Sequence, residues 1–222
     1  MSMPTNHRVL VVAATPIEIT PFLEQWKNKA AGLDPIELDV LITGIGLTAT
    51  TYTLTKQIQY NRPHLIIQAG VGGCFDRNRS LGEVVVVKQE AIADQSVIEL
   101  DQLKTLFDLK LVPQNEFPFH KGWMVNKSPI LKQTKLKKVR GVSVNEITTN
   151  PRKCQFYEQH FQPVVESMEG AALHYVALRE GIDFIQLRSF SNYIADRNKK
   201  RWDMKTSIFN LNQELIRLLK NL

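Results

Sequence analysis

The sequence predicts one α/β domain spanning residues 1–222, a three-layer sandwich in which helices cover both faces of a central mixed, largely parallel sheet. Short runs of apolar and β-branched residues alternate with helical patterns along the whole chain, and this alternation is typical of such folds. The length of 222 residues, 43% of them hydrophobic and 23% charged, suits a globular domain with a buried core. The first few residues, which precede the first strand pattern, are expected to be disordered.

The first half of the chain contains three predicted strands, each followed by a turn or by the start of a helix. Residues 9–14 form the first strand, and Pro16 then begins a helix. Proline is tolerated there because it lacks only an N–H that would have no partner in the first turn of a helix. Residues 38–43 form the second strand, which ends in glycines and leads into a helix. Residues 65–68 form the third, and a further glycine-rich turn follows it.

The second half of the chain predicts three further strands and three helices, with mixed helix and loop at residues 94–119. The strands are placed at residues 81–88, 139–144 and 184–189. The helices are placed at residues 149–160, with Thr149 or Asn150 as the cap, at 168–180, ending before Gly181, and at 204–222.

Several classes of protein are excluded by what the sequence lacks. It has no apolar run long enough to span a bilayer and no secretory signal at its start, so we expect a cytoplasmic protein without a membrane partner. Its two cysteines, Cys74 and Cys154, are too few for a disulfide framework and too distant from each other for a zinc motif. We therefore expect neither a metal nor a cofactor.

The net charge of +6 raises the question of an anionic partner. The basic residues concentrate at positions 132–140 and 197–201, and neither cluster is interleaved with the aromatic residues of a single-strand nucleic-acid surface. No nucleic-acid partner is therefore expected, and the first cluster is interpreted as a solvated face.

Residues 44–49 fit the pattern G-x-G-x-x-A between a strand and a helix, which also occurs in dinucleotide-binding folds. Here it follows the second strand instead of the first, and the third strand ends at Gln68 where those folds place an acid for the ribose. A tight turn is the simpler interpretation.

Four segments, taken in order, resemble the nucleoside phosphorylase and nucleosidase superfamily. They are AATPIE at residues 13–18, TGIG at 43–46, QAGVGG at 68–73, and SMEGAA at 167–172 followed by RSFSN at 188–192. The resemblance implies a pocket at the strand ends of the sheet that binds a small-molecule nucleoside. The residues that it assigns to the base and the pocket are Gly70, Gly72, Ile147 and Ser191.

The same resemblance assigns roles to two carboxylates. Glu18 matches the base that activates water in methylthioadenosine nucleosidases, and Met168 and Glu169 match the pair that holds the ribose. Cleavage of a ribose–base bond passes through a cationic, oxocarbenium-like state, so both a base and negative charge are useful there. Without the resemblance, the preferred interpretation of either acid is a first-turn carboxylate that interacts favourably with the helix dipole.

Water is the expected second substrate, because phosphate requires an arginine or a cluster of amides to offset its charge. The loop at residues 13–21 carries no basic residue, and Gln68 stands where phosphorylases of the superfamily tend to place arginine.

Asn192 indicates which base leaves. It stands where adenine-specific nucleosidases have an aspartate that protonates N7 of the purine, and an amide donates hydrogen bonds but no proton. A 6-oxopurine spreads the departing charge onto its oxygen and needs less acid help. The chain thus resembles the futalosine hydrolases, which release hypoxanthine in menaquinone biosynthesis. As a residue following a strand, Asn192 is also compatible with a simple turn.

Futalosine carries an aromatic carboxylate on its 5' side, so an aromatic wall and a cation are expected near it. Trp202 with Arg197 or Arg201 offers both, and a solvated basic loop is the alternative. The rival functions are an adenine nucleosidase of the methylthioadenosine type, a purine nucleoside phosphorylase and a catalytically silent nucleotide-binding protein. By the same resemblance, we expect a homodimer.

Overall fold

The computed structural model describes residues 7–29, 36–196 and 198–222. The disorder expected at the start of the chain concerns residues 1–6, and the substrate contact expected of Arg197 concerns residue 197, so both predictions lie outside the described residues. No helix in the described part of the chain is long and apolar enough to cross a bilayer.

The described residues form eleven strands and five α-helices. The strands are β1 (His7–Ala13), β2 (Ile36–Ile42), β3 (Leu65–Cys74), β4 (Val84–Ile92), β5 (Ser96–Glu99), β6 (Gln102–Thr105), β7 (Phe119–His120), β8 (Trp123–Val125), β9 (Lys138–Ser143), β10 (Val165–Ser167) and β11 (Asp183–Tyr193). The helices are α1 (Pro16–Lys29), α2 (Leu47–Tyr60), α3 (Pro151–Phe161), α4 (Gly170–Glu180) and α5 (Met204–Leu219). Two short 3-10 helices cover Pro129–Lys132 and Lys199–Arg201.

Nine strands form one mixed sheet in the order β2-β1-β3-β10-β9-β4-β8-β7, and β11 joins β3 to β4. Because β11 pairs parallel with β3 and antiparallel with β4, the strands β3, β10, β9, β4 and β11 close a ring. Apolar side chains from all five of these strands pack against one another, so the ring has a filled core. They are Cys74, Val85, Val87, Val139, Val165 and Phe190.

The three-layer arrangement predicted from the sequence is confirmed. Alternate residues of β1 point to opposite faces of the sheet, as the two-residue period of a strand requires. Val9 and Val11 pack with apolar residues of α1 and α5, whereas Leu10 and Val12 pack with those of α2 and α4. Each face of the sheet is therefore covered by a pair of helices.

Several helix signals in the sequence are confirmed. α1 begins at Pro16, and α2 covers the helix expected after the second strand. Asn150 is the cap of α3, because its side-chain oxygen accepts bonds from the amides of Arg152 and Lys153. Gly181 ends α4 with φ 64°, the left-handed conformation in which glycine is favoured.

Four predicted boundaries are corrected. β3 continues through the glycine-rich stretch to Cys74, and β11 continues to Tyr193, because the two strands pair with each other along this length. Residues 94–119 contain the β5–β6 hairpin instead of a helix. α4 begins at Gly170, two residues later than expected. The strand β10 is missing from the sequence prediction, since three residues carry too little periodicity to be recognised.

Candidate active site

A cavity of about 410 Å³ lies at the ends of β1, β3, β10 and β11, within the usual size range of small-molecule sites. Most of the residues selected from the sequence line it. They are Glu18, Gly72, Ile147, Met168, Glu169, Ser191, Asn192 and Trp202.

Glu18 lies in the first turn of α1 and is held by three hydrogen bonds. Its Oε1 accepts from the amide of Val71 at 3.1 Å, and its Oε2 accepts from the amide and the hydroxyl of Thr15 at 3.0 and 3.1 Å. The side chain is only 6% exposed. These bonds fix the orientation of a buried carboxylate at the cavity wall, as a general base requires.

Glu169 occupies the N-cap position of α4, yet its side chain makes no capping bond. Two serine hydroxyls satisfy the first amides of the helix instead. The amide of Gly170 donates to Ser167 Oγ at 3.2 Å, and the amide of Ala171 donates to Ser143 Oγ at 2.8 Å. The carboxylate of Glu169 is therefore free to face the cavity.

Arg188 is a buried cation beside this carboxylate. It is 1% exposed, and its Nη1 lies 3.3 Å from Glu169 Oε2. Its Nη2 donates to Gln68 Oε1 at 2.9 Å. The other oxygen of Glu169 accepts from the amide of Gly46 at 3.2 Å. Since a carboxylate has about four acceptor positions, Glu169 retains capacity for hydroxyl groups of a ligand.

Gly70, which the resemblance assigns to the pocket, is not among the residues that line the cavity. A Cβ at Gly70 would lie 2.3 Å from Arg188 Nη1 and 3.1 Å from Glu18 Oε1. Gly70 thus lies beneath the two charged groups and leaves room for them to come together. Sequence reasoning assigned Arg188 no role, although an arginine in an otherwise apolar strand is a signal, because buried charges need partners.

A buried polar layer lies behind this part of the site. Ser143 Oγ donates to Glu90 Oε1 at 3.1 Å, and Glu90 is fully buried on β4. Burial raises the pKa of Glu90 to about 8, although the nearby Arg188 lowers it. Burial also lowers the pKa of His174 to about 3. The same serine therefore links a buried acid to the first turn of α4.

Asn192 and two glycines form another part of the wall. Asn192 Oδ1 accepts from the Ser191 hydroxyl at 2.9 Å, and its Nδ2 donates to the carbonyl of Tyr193 at 3.1 Å. A Cβ at Gly73 would lie 2.4 Å from the Ile194 side chain, and one at Gly72 would lie 2.7 Å from the carbonyl of Glu166. Glycine is therefore required at position 72 by the close approach of the β10 backbone, whereas a side chain at position 73 would require the Ile194 side chain to move.

Trp202 lines the cavity, and its indole nitrogen donates to the carbonyl of Asp196 at 2.9 Å. Arg201 does not line it. Its guanidinium is largely exposed and lies 3.4 Å from the Asp196 carboxylate, which is itself in the wall. Among the cavity-lining residues that the structure describes, none is a lysine or an arginine.

No group of three or more His, Cys, Asp or Glu side chains is placed to hold a metal ion in residues 7–29, 36–196 and 198–222.

Comparison with known proteins identifies the family. Residues 37–221 match the model of the phosphorylase superfamily, which covers most of the chain. The chain belongs to the phosphorylase superfamily. It is 27% identical over 220 residues to a futalosine hydrolase of Thermus thermophilus, covering 95% of this chain and 94% of that protein.

Two solved structures share the superfamily fold along nearly their whole length. One is a futalosine hydrolase of Helicobacter pylori, with a TM-score of 0.79 and 19% identity, covering 98% of this chain and 99% of that one. The other is a 5'-methylthioadenosine/S-adenosylhomocysteine nucleosidase of Helicobacter pylori, with a TM-score of 0.78 and 19% identity, covering 97% and 99%. The fold alone does not separate these two activities.

In this member of the phosphorylase superfamily, two acids and one arginine meet at one side of the cavity. A Cβ at Gly70 would lie close to both Glu18 Oε1 and Arg188 Nη1, and Arg188 is paired with Glu169. A carboxylate oriented beside an ion pair is suited to remove a proton from a small nucleophile and to stabilise positive charge on a sugar.

Proposed function

We propose that the protein hydrolyses the N-glycosidic bond of a 5'-modified purine riboside and that its substrate is futalosine. The products are hypoxanthine and dehypoxanthine futalosine, an intermediate of menaquinone biosynthesis. The similarity to the Thermus futalosine hydrolase over almost the full length of both chains supports this assignment.

In the proposed reaction, water bonds to C1' of the ribose while the bond from C1' to N9 of the purine breaks. The electron pair of the broken bond leaves with the base, which takes up a proton from solvent, and Glu18 removes a proton from the attacking water and returns it to solvent, so that one water is added in all. Glu169 binds ribose hydroxyls, and Met168 packs against the sugar. Negative charge on the two carboxylates favours the positively charged transition state.

Water, and not phosphate, is the proposed nucleophile. An arginine is present near the glycines after all, but Arg188 comes from β11 and is already bound to Glu169, Gln68 and the carbonyl of Val71. With this cation paired and no lysine or arginine among the described residues of the cavity wall, a phosphate dianion would be poorly compensated.

Asn192 carries the choice of base. Its amide lies in the cavity wall and is held by Ser191 and by the carbonyl of Tyr193. Its Nδ2 keeps one N–H beyond the bond to Tyr193, which can donate to the N7 and O6 edge of hypoxanthine, but an amide has no proton to transfer to adenine. This single position favours futalosine over methylthioadenosine as the substrate.

An adenine nucleosidase of the methylthioadenosine type is the second candidate, because a nucleosidase of that name is as similar in fold as the futalosine hydrolase. A silent nucleotide-binding protein is disfavoured by the joint presence of Glu18, Glu169 and Arg188 in one buried cluster. Glu169 could serve binding alone, but a binding protein has no use for Glu18, a buried carboxylate oriented to remove a proton.

The decisive experiment is a base-release assay with futalosine, inosine and methylthioadenosine, each with and without phosphate. We expect hypoxanthine from futalosine at a rate that does not depend on phosphate, and little adenine from methylthioadenosine. Faster release in phosphate would indicate a phosphorylase. Preferential release of adenine would replace the futalosine assignment by the methylthioadenosine one.

We further propose that the chain is a single-domain, cytoplasmic homodimer whose neighbouring subunit completes the 5' end of the site. Light scattering coupled to size-exclusion chromatography tests the dimer directly, because a monomer that retains full activity would contradict it.

A further inference from the structure

Glu90 is a fully buried acid that the proposed reaction does not use. It lies on β4 with 0% exposure, and it is not among the residues that line the cavity. Burial raises the pKa of its carboxyl to about 8, against the opposing effects of Arg188, Ser143 and Gln186. Burying an acid is costly, so a carboxyl group kept behind a ligand site is expected to serve another group of that site.

The surrounding backbone leaves space for this carboxyl group. A Cβ at Gly141 on β9 would lie 2.7 Å from Glu90 Oε2, and a Cβ at Gly170, the first residue of α4, would lie 2.5 Å from the same oxygen. The amide nitrogen of Gln186 on β11 would also contact the Cβ at Gly170. Three elements therefore meet around one carboxyl group, and glycine in two of them gives it room.

The hydroxyl group of Ser143 connects Glu90 to α4. It has one proton to donate, and it lies 2.8 Å from the amide of Ala171, 3.1 Å from Glu90 Oε1 and 3.5 Å from Ser167 Oγ. The amide of Ala171 is itself a donor, so the proton of Ser143 goes to the carboxyl oxygen, the nearer of the two acceptors. The lone pairs of Ser143 Oγ are then directed at the helix amide.

Glu169 is held in place by the first turn of this helix. It is the N-cap residue of α4, and its side chain lines the cavity instead of capping the helix. The amide of Gly170 bonds to Ser167, and the amide of Ala171 bonds to Ser143. The backbone that carries Glu169 is therefore fixed by side chains other than its own.

We propose that Glu90 is a positioning residue for the ribose-binding acid: through Ser143 it holds the first turn of α4 and so keeps the carboxylate of Glu169 at the ribose hydroxyls. Hydrogen bonds in a chain strengthen one another in a low-dielectric interior, so Ser143 accepts more strongly from the helix while it donates to Glu90. This assignment rests on the proposed function, since it takes a riboside as the ligand of Glu169.

Discrimination between a riboside and its 2'-deoxy counterpart measures the position of Glu169. The substrates are futalosine and 2'-deoxyfutalosine, with methylthioadenosine and its 2'-deoxy counterpart as a second pair. A loss of overall stability reduces the amount of active enzyme and lowers both rates of a pair equally, whereas a displaced Glu169 lowers the rate for the riboside more. We expect Ser143→Ala and Glu90→Met to lower the ratio of kcat/KM, riboside over deoxyriboside, about tenfold.

Glu90→Gln and Ser128→Ala are the matched controls. Glutamine keeps an oxygen that accepts from Ser143, whereas methionine has a similar length and no such acceptor, so Glu90→Gln should keep most of the parental ratio. Ser128 also accepts from a backbone amide, that of Phe184 at 3.0 Å, but it lies outside the cavity wall. Ser128→Ala should therefore keep the parental ratio.

Hydrogen exchange tests the anchoring of the helix without a substrate. The amide of Ala171 should exchange about threefold to tenfold faster in Ser143→Ala than in the parent, because its acceptor is lost. It should also exchange faster in Glu90→Met, where the acceptor is weakened, and at the parental rate in Ser128→Ala.

A parental ratio of kcat/KM in both Ser143→Ala and Glu90→Met would overturn the assignment, as would parental exchange of Ala171 in both. If Ser143→Ala alone changes the ratio, the serine holds the helix without Glu90, and the role of Glu90 is refuted. A parent that cleaves only the methylthioadenosine pair would refute the futalosine assignment and still allow this comparison. A parent that cleaves no riboside would refute the proposed function and this role with it.

Discussion

Asn192→Asp changes one polar atom at the position on which the choice of base depends. In the parent, Nδ2 donates to the carbonyl of Tyr193 at 3.1 Å, and Oδ1 accepts from the Ser191 hydroxyl at 2.9 Å. The substitution replaces the donor by an oxygen, so an ionised carboxylate would face the Tyr193 carbonyl, acceptor against acceptor. Protonation of the carboxyl restores the lost bond.

The structure sets the size of this effect. Leaving a fully buried polar pair mismatched costs about 1–3 kcal/mol, which is an upper bound here because the Asn192–Tyr193 bond is part-buried. Since one pKa unit corresponds to about 1.4 kcal/mol, the pKa of the introduced carboxyl is expected to rise by up to about two units above that of an ordinary aspartate. A protonated acid at this position can donate to N7 of adenine. The ratio of adenine to hypoxanthine release should increase about tenfold to a hundredfold.

The assay measures hypoxanthine from futalosine and adenine from its 6-amino analogue, side by side, from pH 5 to pH 8. Adenine release by Asn192→Asp should be greatest at the acidic end, where the introduced carboxyl holds its proton, and should fall as the pH rises. Asn198→Asp is the control, since Asn198 is exposed and caps the 3-10 helix Lys199–Arg201 outside the cavity wall. A preference that stays unchanged in Asn192→Asp, at every pH, would refute the reasoning.

Three further variants test other parts of the site. Glu18→Gln should lower kcat about a hundredfold or more, and an unchanged kcat would remove Glu18 from the mechanism. The variant should also have a lower free energy of unfolding, because its NH2 group would face the amide of Val71 or Thr15, donor against donor. Arg201→Ala should raise KM for futalosine by up to about fivefold, the limit for an exposed ion pair, and leave KM for inosine unchanged. If the variant and the parent have equal KM values for futalosine, Arg201 belongs to a solvated loop. Glu90→Gln should change the pH dependence of unfolding, since burial raises the pKa of Glu90 to about 8. Relative to this variant, the parent should lose roughly 1.4 kcal/mol of its free energy of unfolding for each unit by which the pH rises between about pH 5 and pH 8. Chemical denaturation measures this, and the same pH dependence in both proteins would contradict the prediction.

The parts of the site that the sequence predicts are those specified locally. Glu18 follows a strand and a helix-starting proline, and the segment around Glu169 leads directly into a helix. Asn192 was likewise selected from its own segment, although it proved to lie within β11 and not after a strand. In each case, the site residue was selected from a short segment of neighbouring residues in the sequence.

Arg188 was not recognised because its environment is assembled from distant parts of the chain. Gln68, its partner at 2.9 Å, is 120 residues away in sequence, and the carbonyl of Val71 is 117 residues away. The glycines of β3 show the same limit. Read locally they favour a turn, but pairing with β10 and β11 keeps them extended, because tertiary contacts outweigh weak local preferences.

The crowding around the β3 glycines restricts how the enzyme can be re-engineered. A side chain at Gly72 would collide with the β10 backbone before it reached a ligand, so this part of the floor of the base site offers no position for mutation. New base preferences must come from the flanking strands β10 and β11. A library that varies Asn192 on β11, while it keeps Gly72 constant, therefore tests base preference without a collision between β3 and β10.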